Sequence, residues 1–141
     1  MIANRIESLN ESQVEDLHRL YQNEWWSRDR TLEATRRMLA AAEIFIALGD
    51  ESGRLAAFAR VLSDYVFKAF IFDVMVVPEH RGSGLGAALM DSILGHPRLA
   101  RVEHFELYCR PDLVSFYERW RFFEVSPDLR LLRRARQRPP S

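Results

Sequence analysis

From Val77 to Leu89 the chain reads VPEHRGSGLGAAL, with glycines at 82, 84 and 86 behind a proline and an arginine, and apolar sequence on either side. Glycines let a backbone turn tightly and bring successive N–H groups against a ligand. The first turn of a following helix adds its own unpaired donors and the positive end of its dipole. The chemistry on offer is phosphate binding, with the Arg81 side chain adding charge beside the oxygens. A tight strand-to-helix connection without a ligand is the plainer alternative. A nucleotide P-loop is excluded, because it needs Gly-Lys-Ser or Gly-Lys-Thr and here Gly86 precedes Ala87 and Ala88. Gly82, Gly84 and Ala87 do satisfy the dinucleotide spacing G-x-G-x-x-G/A, with Glu106 about where an acid for ribose belongs. Against that reading, Pro78, Glu79, His80 and Arg81 separate Val77 from the first glycine, and only one βαβ unit is visible.

Asp73 interrupts the apolar run FIFDVMVV, residues 70–77. A carboxylate there is costly unless it is paired or used, and burial would raise its pKa into a useful range. Its two readings are a general base and an anion hydrogen-bonded to a neighbouring backbone group or arginine. Glu79 and His80 lie in a polar loop, and His104 reads as a strand residue with a satisfied partner. Cys109, the sole cysteine, reads as packing before it reads as an acyl carrier. Tyr117 on its own is an amphipathic core tyrosine. Asp112 opens a short helix and is read as its N-cap.

The elements that must position these groups follow from spacing. Asn10 and Gln13 make a capping box ahead of Val14, Leu17, Leu20 and Tyr21, which recur at helical intervals. A second helix is expected from about Asp29 to Ala42. Ile44 to Leu48 and Leu55 to Leu62 flank a Gly-Asp-Glu-Ser-Gly turn and read as a hairpin, with which the sheet begins. Phe70 to Val77 should be the middle of the sheet, covered on both faces. A helix then runs to about Leu94 with Leu85, Leu89 and Ile93 on one side. A strand from Val102 to Cys109, a short helix from Leu113 to Trp120 and an aromatic strand near Phe122 to Val125 complete an α/β pattern.

Composition bounds the function classes. The 141 residues are 48% hydrophobic and 28% charged, as expected of one globular domain with a real core. Twenty basic side chains balance twenty acidic ones, so no overall field draws the protein to nucleic acid or membrane. The basic excess sits at Arg130, Arg133, Arg134, Arg136 and Arg138 and is read as a solvated tail, with a polyanion or subunit contact as the alternative. The sequence shows no secretory h-region and no apolar run long enough to span a bilayer, and a cytoplasmic location is the expectation.

The string V-V-P-E-x-R-G-x-G-L-G, residues 76–86, resembles the coenzyme A signature of the GNAT superfamily of N-acetyltransferases, Arg or Gln, two residues, Gly, one residue, then Gly or Ala. Arg81 with Gly84 and Gly86 matches it in full. Downstream, S-F-Y-E-R-W-R-F is similar to the family's F-Y-x-x-x-G-F segment, and the likeness covers roughly residues 44–125. One departure stands out: Arg121 occupies the place of the glycine that ends the helix in a left-handed turn.

The resemblance implies a single acyl-CoA N-acyltransferase domain over residues 1–135, with a mixed central sheet, helices on both faces and a flexible basic tail at 136–141. Backbone donors of Gly82, Ser83, Gly84, Leu85 and Gly86, with Arg81, would hold the coenzyme A pyrophosphate. Val76 and Val77 would pair with the pantetheine amides, and an N–H near Met75 to Val77 would face the oxyanion. Asp112 is counted with these cofactor-binding residues. Tyr117 takes the position of the family's general acid, while Asp73 is taken as the base on its own place in the apolar strand. The activity implied is direct acetyl transfer from acetyl-CoA to a primary amine, with no metal. A dinucleotide-binding oxidoreductase and a non-catalytic coenzyme A-binding regulatory module remain as alternatives. Trp25, Trp26, Arg28, Arg30 and Tyr65 would border the acceptor pocket. Equally, the tryptophans would serve as core or as a contact in a homodimer.

Overall fold

The structure is a computed structural model and describes residues 3–136. These residues form two compact units that divide after Tyr108. The first unit holds five strands, β1 (Asn4–Ile6), β2 (Ile44–Gly49), β3 (Leu55–Ser63), β4 (Lys68–Val76) and β5 (His104–Glu106), and three helices, α1 (Glu11–Asn23), α2 (Leu32–Ala41) and α3 (Leu85–Leu94). The strands lie in the order β1-β2-β3-β4-β5, antiparallel except for the parallel β4–β5 pair that α3 connects.

Local chemistry explains the elements. The Asn10 side chain accepts the Gln13 N–H while the Gln13 side chain accepts the Asn10 N–H, which is the expected capping box at the start of α1. Thr31 caps α2 through the Ala34 N–H, so that helix starts three residues after the expected Asp29. The Asp64 carboxylate takes the N–H groups of Val66, Phe67 and Lys68, which fixes the β3–β4 turn and holds its acid below the usual carboxylate range.

The middle strand is β3, and nearly all of it is buried. This corrects the expectation that Phe70 to Val77 would be central. β4 is the fourth strand, and Phe70, Phe72 and Val74 stay partly exposed. The sheet also begins earlier than expected, because Asn4–Ile6 pairs with Ala47 to Gly49. Leu17, Leu20 and Tyr21 of α1 pack on Ala47, Phe58 and Met75. Ile46, Leu48, Ala57 and Ala59 occupy the alternate positions and are buried toward the other face, where Leu85, Leu89, Met90 and Ile93 of α3 supply the apolar side. Each such large side chain contributes roughly 1.5–3 kcal/mol on burial.

The second unit holds α4 (Val114–Glu118). Residues 122–125 form no strand. Phe123 and Val125 of the aromatic stretch expected to form one are exposed, without the ladder a strand needs. The expected 102–109 strand shortens to β5, leaving Cys109 beyond the pairing. Arg138 and the rest of residues 137–141 lie outside the described residues.

Asp16 ties α1 to the sheet. Its buried carboxylate receives Arg54, Arg19 and the Leu55 N–H. Burial opposes ionisation, but these donors outweigh it and hold the carboxyl below its ordinary value of 3.8. Such a depressed group stabilises the fold above that value and loses its contribution as pH falls through the folded-state value. In urea melts at pH 7, Asp16→Asn should lower stability by about 2 kcal/mol. The gap between variant and wild type should close as the pH is lowered below about 4.

Candidate functional site

Strands β4 and β5 pair only over Lys68–Phe70 and His104–Glu106, and past Phe70 they have no common ladder. The outer edge of β4 from Ile71 onward is therefore without a β5 partner. The Val77 N–H donates to the Ala56 carbonyl (2.9 Å), and the Val77 carbonyl accepts the His80 N–H (3.0 Å). Backbone groups alternate sides along an antiparallel strand, so the N–H and C=O of Val76 point away from β3 toward the open edge, and those of Met75 point to β3. Of the three strand-end residues singled out in the sequence, Val76 presents its backbone outward. Val77 does not, since both its groups are engaged within the chain. Arg81 Nε donates to the Val76 carbonyl at 3.3 Å, and its guanidinium lies 3.7 Å from Glu24.

The glycine loop follows at this strand end. Gly82 and Gly84 have φ of +80° and +87°, a region side chains rarely adopt, and space is open around both. Gly84 is the N-cap of α3 and supplies no side chain; the first helical bond runs from the Ala88 N–H to the Gly84 carbonyl. The amides of Leu85, Gly86 and Ala87 precede that bond and so have no helical acceptor. No acidic residue sits in the first turn to compete for an anion. The Ser83 hydroxyl turns back onto the His80 carbonyl, so from Ser83 the backbone amide is what the loop can offer. Arg81, Gly82, Ser83 and Gly84 are all exposed. Together they form an anion cradle whose charge comes from helix dipole, amides and Arg81.

Asp73 sits at a bulge. Phe58 pairs with Met75 and Arg60 with Phe72, so Asp73 and Val74 of β4 oppose Ala59 alone. Asp73 takes φ of +57°, which aspartate tolerates better than most residues. Its side chain is 4% exposed, and Oδ2 accepts Tyr21 Oη (2.8 Å), Arg60 Nε (2.6 Å) and Arg30 Nη1 (3.1 Å). Burial and the adjacent Asp73 push the Tyr21 phenol far above its ordinary value, so it remains a neutral donor. Sequence reading found Asp73 and Arg30 but missed Tyr21 and Arg60. A signal for Arg60 existed, because a lone arginine in an apolar strand is the natural partner of a lone aspartate in the strand beside it.

In the second unit Tyr117 is buried, and burial with the neighbouring Cys109 pushes its phenol up to about 12. Helix α4 ends in a Schellman turn: the Phe122 N–H reaches the Tyr117 carbonyl (3.4 Å) and the Arg121 N–H reaches that of Glu118 (2.9 Å). Arg121 keeps the left-handed backbone, with φ of +68°. Asp112 is not a cap. It lies in the turn Pro111–Leu113, exposed and 3.6 Å from Arg110. Burial, Asp112 and Glu124 push the Cys109 thiol up, which works against a thiolate nucleophile.

The weaker candidates find ordinary partners. His80 stands 3.7 Å from Asp50 and His104 3.9 Å from Glu103, while Glu79 is exposed. Glu106 pairs with Lys68 at 2.7 Å. Tyr65 is held by Glu43 under the Arg98 guanidinium. Trp25 and Trp26, in the turn between α1 and α2, are 67% and 39% exposed and so are not core; Arg28 beside them is exposed. Among the described residues no group of three or more His, Cys, Asp or Glu could hold a metal ion, and no helix is long and apolar enough to cross a membrane.

The sequence model of the acetyltransferase (GNAT) family matches residues 7–122. The uncharacterized N-acetyltransferase ycf52 of Porphyra purpurea is 34% identical over 116 residues, which is 80% of this chain and 66% of that protein. Serotonin N-acetyltransferase 2 of rice, a chloroplastic protein, is 37% identical over 102 residues, 70% of this chain and 50% of its own length. The chain thus spans half to two thirds of these relatives. A solved structure from Xanthomonas campestris, assigned to the same family, superposes with a TM-score of 0.80 at 32% identity, covering 96% of this chain and 94% of that one.

Two stability changes test the geometry. Asp73→Asn leaves two guanidiniums facing a neutral amide and should cost about 3 kcal/mol in urea unfolding at pH 7. Arg121→Gly removes the left-handed penalty at the end of α4 and should raise stability by about 1 kcal/mol in the same assay.

Proposed function

The chain belongs to the GNAT family of acetyltransferases, and from that premise we propose that it transfers the acetyl group of acetyl-CoA to a primary amine by direct attack. The observation that carries the reading is the continuity of two features along one segment. The open edge of β4 ends at Val76, and the anion cradle of Gly82 to Ala87 begins six residues later. A pantetheine arm would bond to the outward N–H of Val76 as an added strand does, the Val76 carbonyl being held by Arg81, and its pyrophosphate would reach the uncapped N-terminus of α3. The donors fit the ligand: amides and an arginine for phosphate oxygens, and a strand edge for secondary amides.

In this proposal the neutral amine attacks the thioester carbon. The electron pair moves to oxygen, and a backbone N–H at the β4 edge stabilises the oxyanion. Collapse breaks the C–S bond; the thiolate takes a proton, and the new amide loses one to solvent. Tyr117, which takes the family's donor position in the sequence, is assigned as the donor to the leaving sulfur. A phenol raised to about 12 keeps its proton at neutral pH and so can hydrogen-bond a thiolate, a weaker base than its own phenolate, while solvent supplies the proton. Asp73, with Tyr21, Arg60 and Arg30 on one oxygen, serves to hold the bulge rather than to take the amine's proton. The name of the rice relative specifies an aromatic amine, serotonin, which supports an amine acceptor at that general level.

The test is thermal unfolding with acetyl-CoA, NAD or NADP, followed by thiol release with a panel of amines. Acetyl-CoA at a hundred times its Kd should add about 2.7 kcal/mol, several degrees for a domain of this size. Tyr117→Phe should lower kcat about a hundredfold while leaving the acetyl-CoA shift in place. A shift with a dinucleotide alone would overturn the proposal. A shift with acetyl-CoA and no amine acetylated would leave a coenzyme A-binding module.

A further inference from the structure

On the face of β4 that carries Arg60's partner Phe72, three rings pack together. Phe70 and Phe72 lie 4.8 Å apart between centroids, and Tyr108 lies 5.6 and 6.2 Å from them. Leu62 stands opposite Phe70 in the β3–β4 register and extends the same surface. Leu62 and Tyr108 are 53% and 54% exposed, so a ring-rich surface beside the bulge stays open to solvent.

At its Asp73 end this surface meets charge. The Arg60 guanidinium lies 4.9 Å over the Phe72 ring, and that of Arg30 lies 4.5 Å over Tyr21 and 5.4 Å over Trp26. Both guanidiniums pair with the same Asp73 oxygen. One carboxylate against two guanidiniums leaves one positive charge in excess. The Arg60 side chain is 17% exposed and that of Arg30 is 37% exposed, so Arg30 is the one a ligand can reach. A guanidinium has five N–H donors in a planar fork that matches a carboxylate. The cluster therefore offers open rings, then an accessible cation, beside the strand edge to which the thioester is assigned.

We infer that the acceptor is an aromatic α-amino acid, its ring on Phe70, Phe72 and Tyr108 and its carboxylate on Arg30. The reaction of its amine rests on the acetyl-transfer reading above; the binding of its ring and carboxylate does not.

Calorimetric titration of the full chain with N-acetyl-L-phenylalanine, N-acetyl-L-alanine and N-acetylphenethylamine separates ring from carboxylate and needs no turnover. The first should bind about tenfold tighter than either of the others. Arg30→Gln should bring N-acetyl-L-phenylalanine down to the level of N-acetylphenethylamine, and Arg30→Lys should restore part of the difference. Tyr108→Ala, at an exposed side chain whose loss the fold tolerates, should reduce the advantage of the ring. In thiol release, phenylalanine should exceed alanine and phenethylamine in kcat/KM. Equal or tighter binding by either comparison ligand, or no binding of any of the three at millimolar concentration, overturns the inference while leaving acetyl transfer to be judged by thiol release. Binding in the expected order with no thiol release from any amine upholds the ligand class and removes the acetyl-transfer reading.

Discussion

One carboxylate oxygen organises the first unit. Asp73 Oδ2 joins α1 through Tyr21, the turn between α1 and α2 through Arg30, and β3 through Arg60. All three donors converge on a bulge in β4. A bulge bends its strand and increases the local twist, and β4 parts from β5 just before this one. Without its anchors the extra residue would be a local defect in the ladder. With them it is a fixed bend that leaves one strand edge open beside the glycine loop. The anchoring also explains why α1 carries a buried tyrosine at its C-terminal end, where its apolar face could have been completed by leucine.

In the proposed site the cofactor end would use the backbone, whereas the acceptor end would use side chains. Val76, the loop amides and the first turn of α3 present N–H and C=O groups whose positions follow from strand alternation and helix geometry alone. They suit a ligand with repeated amides and phosphates, and they tolerate change in the side chains around them. Rings and guanidiniums near Asp73 are different, because each is specified by residue type. On that proposal, a family that shares the first arrangement can vary the second, and acceptor choice would be written in the α1–α2 turn and in the face of β4 beside Tyr108.

Legibility in the sequence followed the range of the interactions. The capping box at Asn10, the hairpin turn and the helix after the glycines depend on residues a few positions apart, and all appear where their spacing places them. Asp73 was visible as an anomaly, a charge in an apolar run. Tyr21 was not, since it is 52 positions away and fits the apolar pattern of α1, whereas Arg60, 13 positions away, stands out in its apolar strand without naming its partner. Strand β1 was missed for the same reason: Asn4–Ile6 is three residues long and owes its existence to Ala47 to Gly49. The mistaken central strand has a chemical cause. A run apolar on both alternations predicts burial on both faces, but Phe70 and Phe72 remain partly open, packed on Tyr108 and under Arg60.

Two of the three non-glycine residues with left-handed backbone among the described residues, Asp73 and Arg121, show how differently the same strain can be held. A side chain in that region costs about 1 kcal/mol or more relative to glycine. At Asp73 the cost is offset, because the conformation aims a carboxylate at three donors, and a glycine there would relieve the backbone only by releasing the elements those donors bind. At Arg121 the Schellman hydrogen bonds are made by backbone groups of Arg121 and Phe122, which glycine would supply as well. The helix end is thus set by the chain's path and not by the side chain at its last turn. Tyr117, whose carbonyl accepts one of those bonds, keeps its place on α4 although the family's usual glycine is gone.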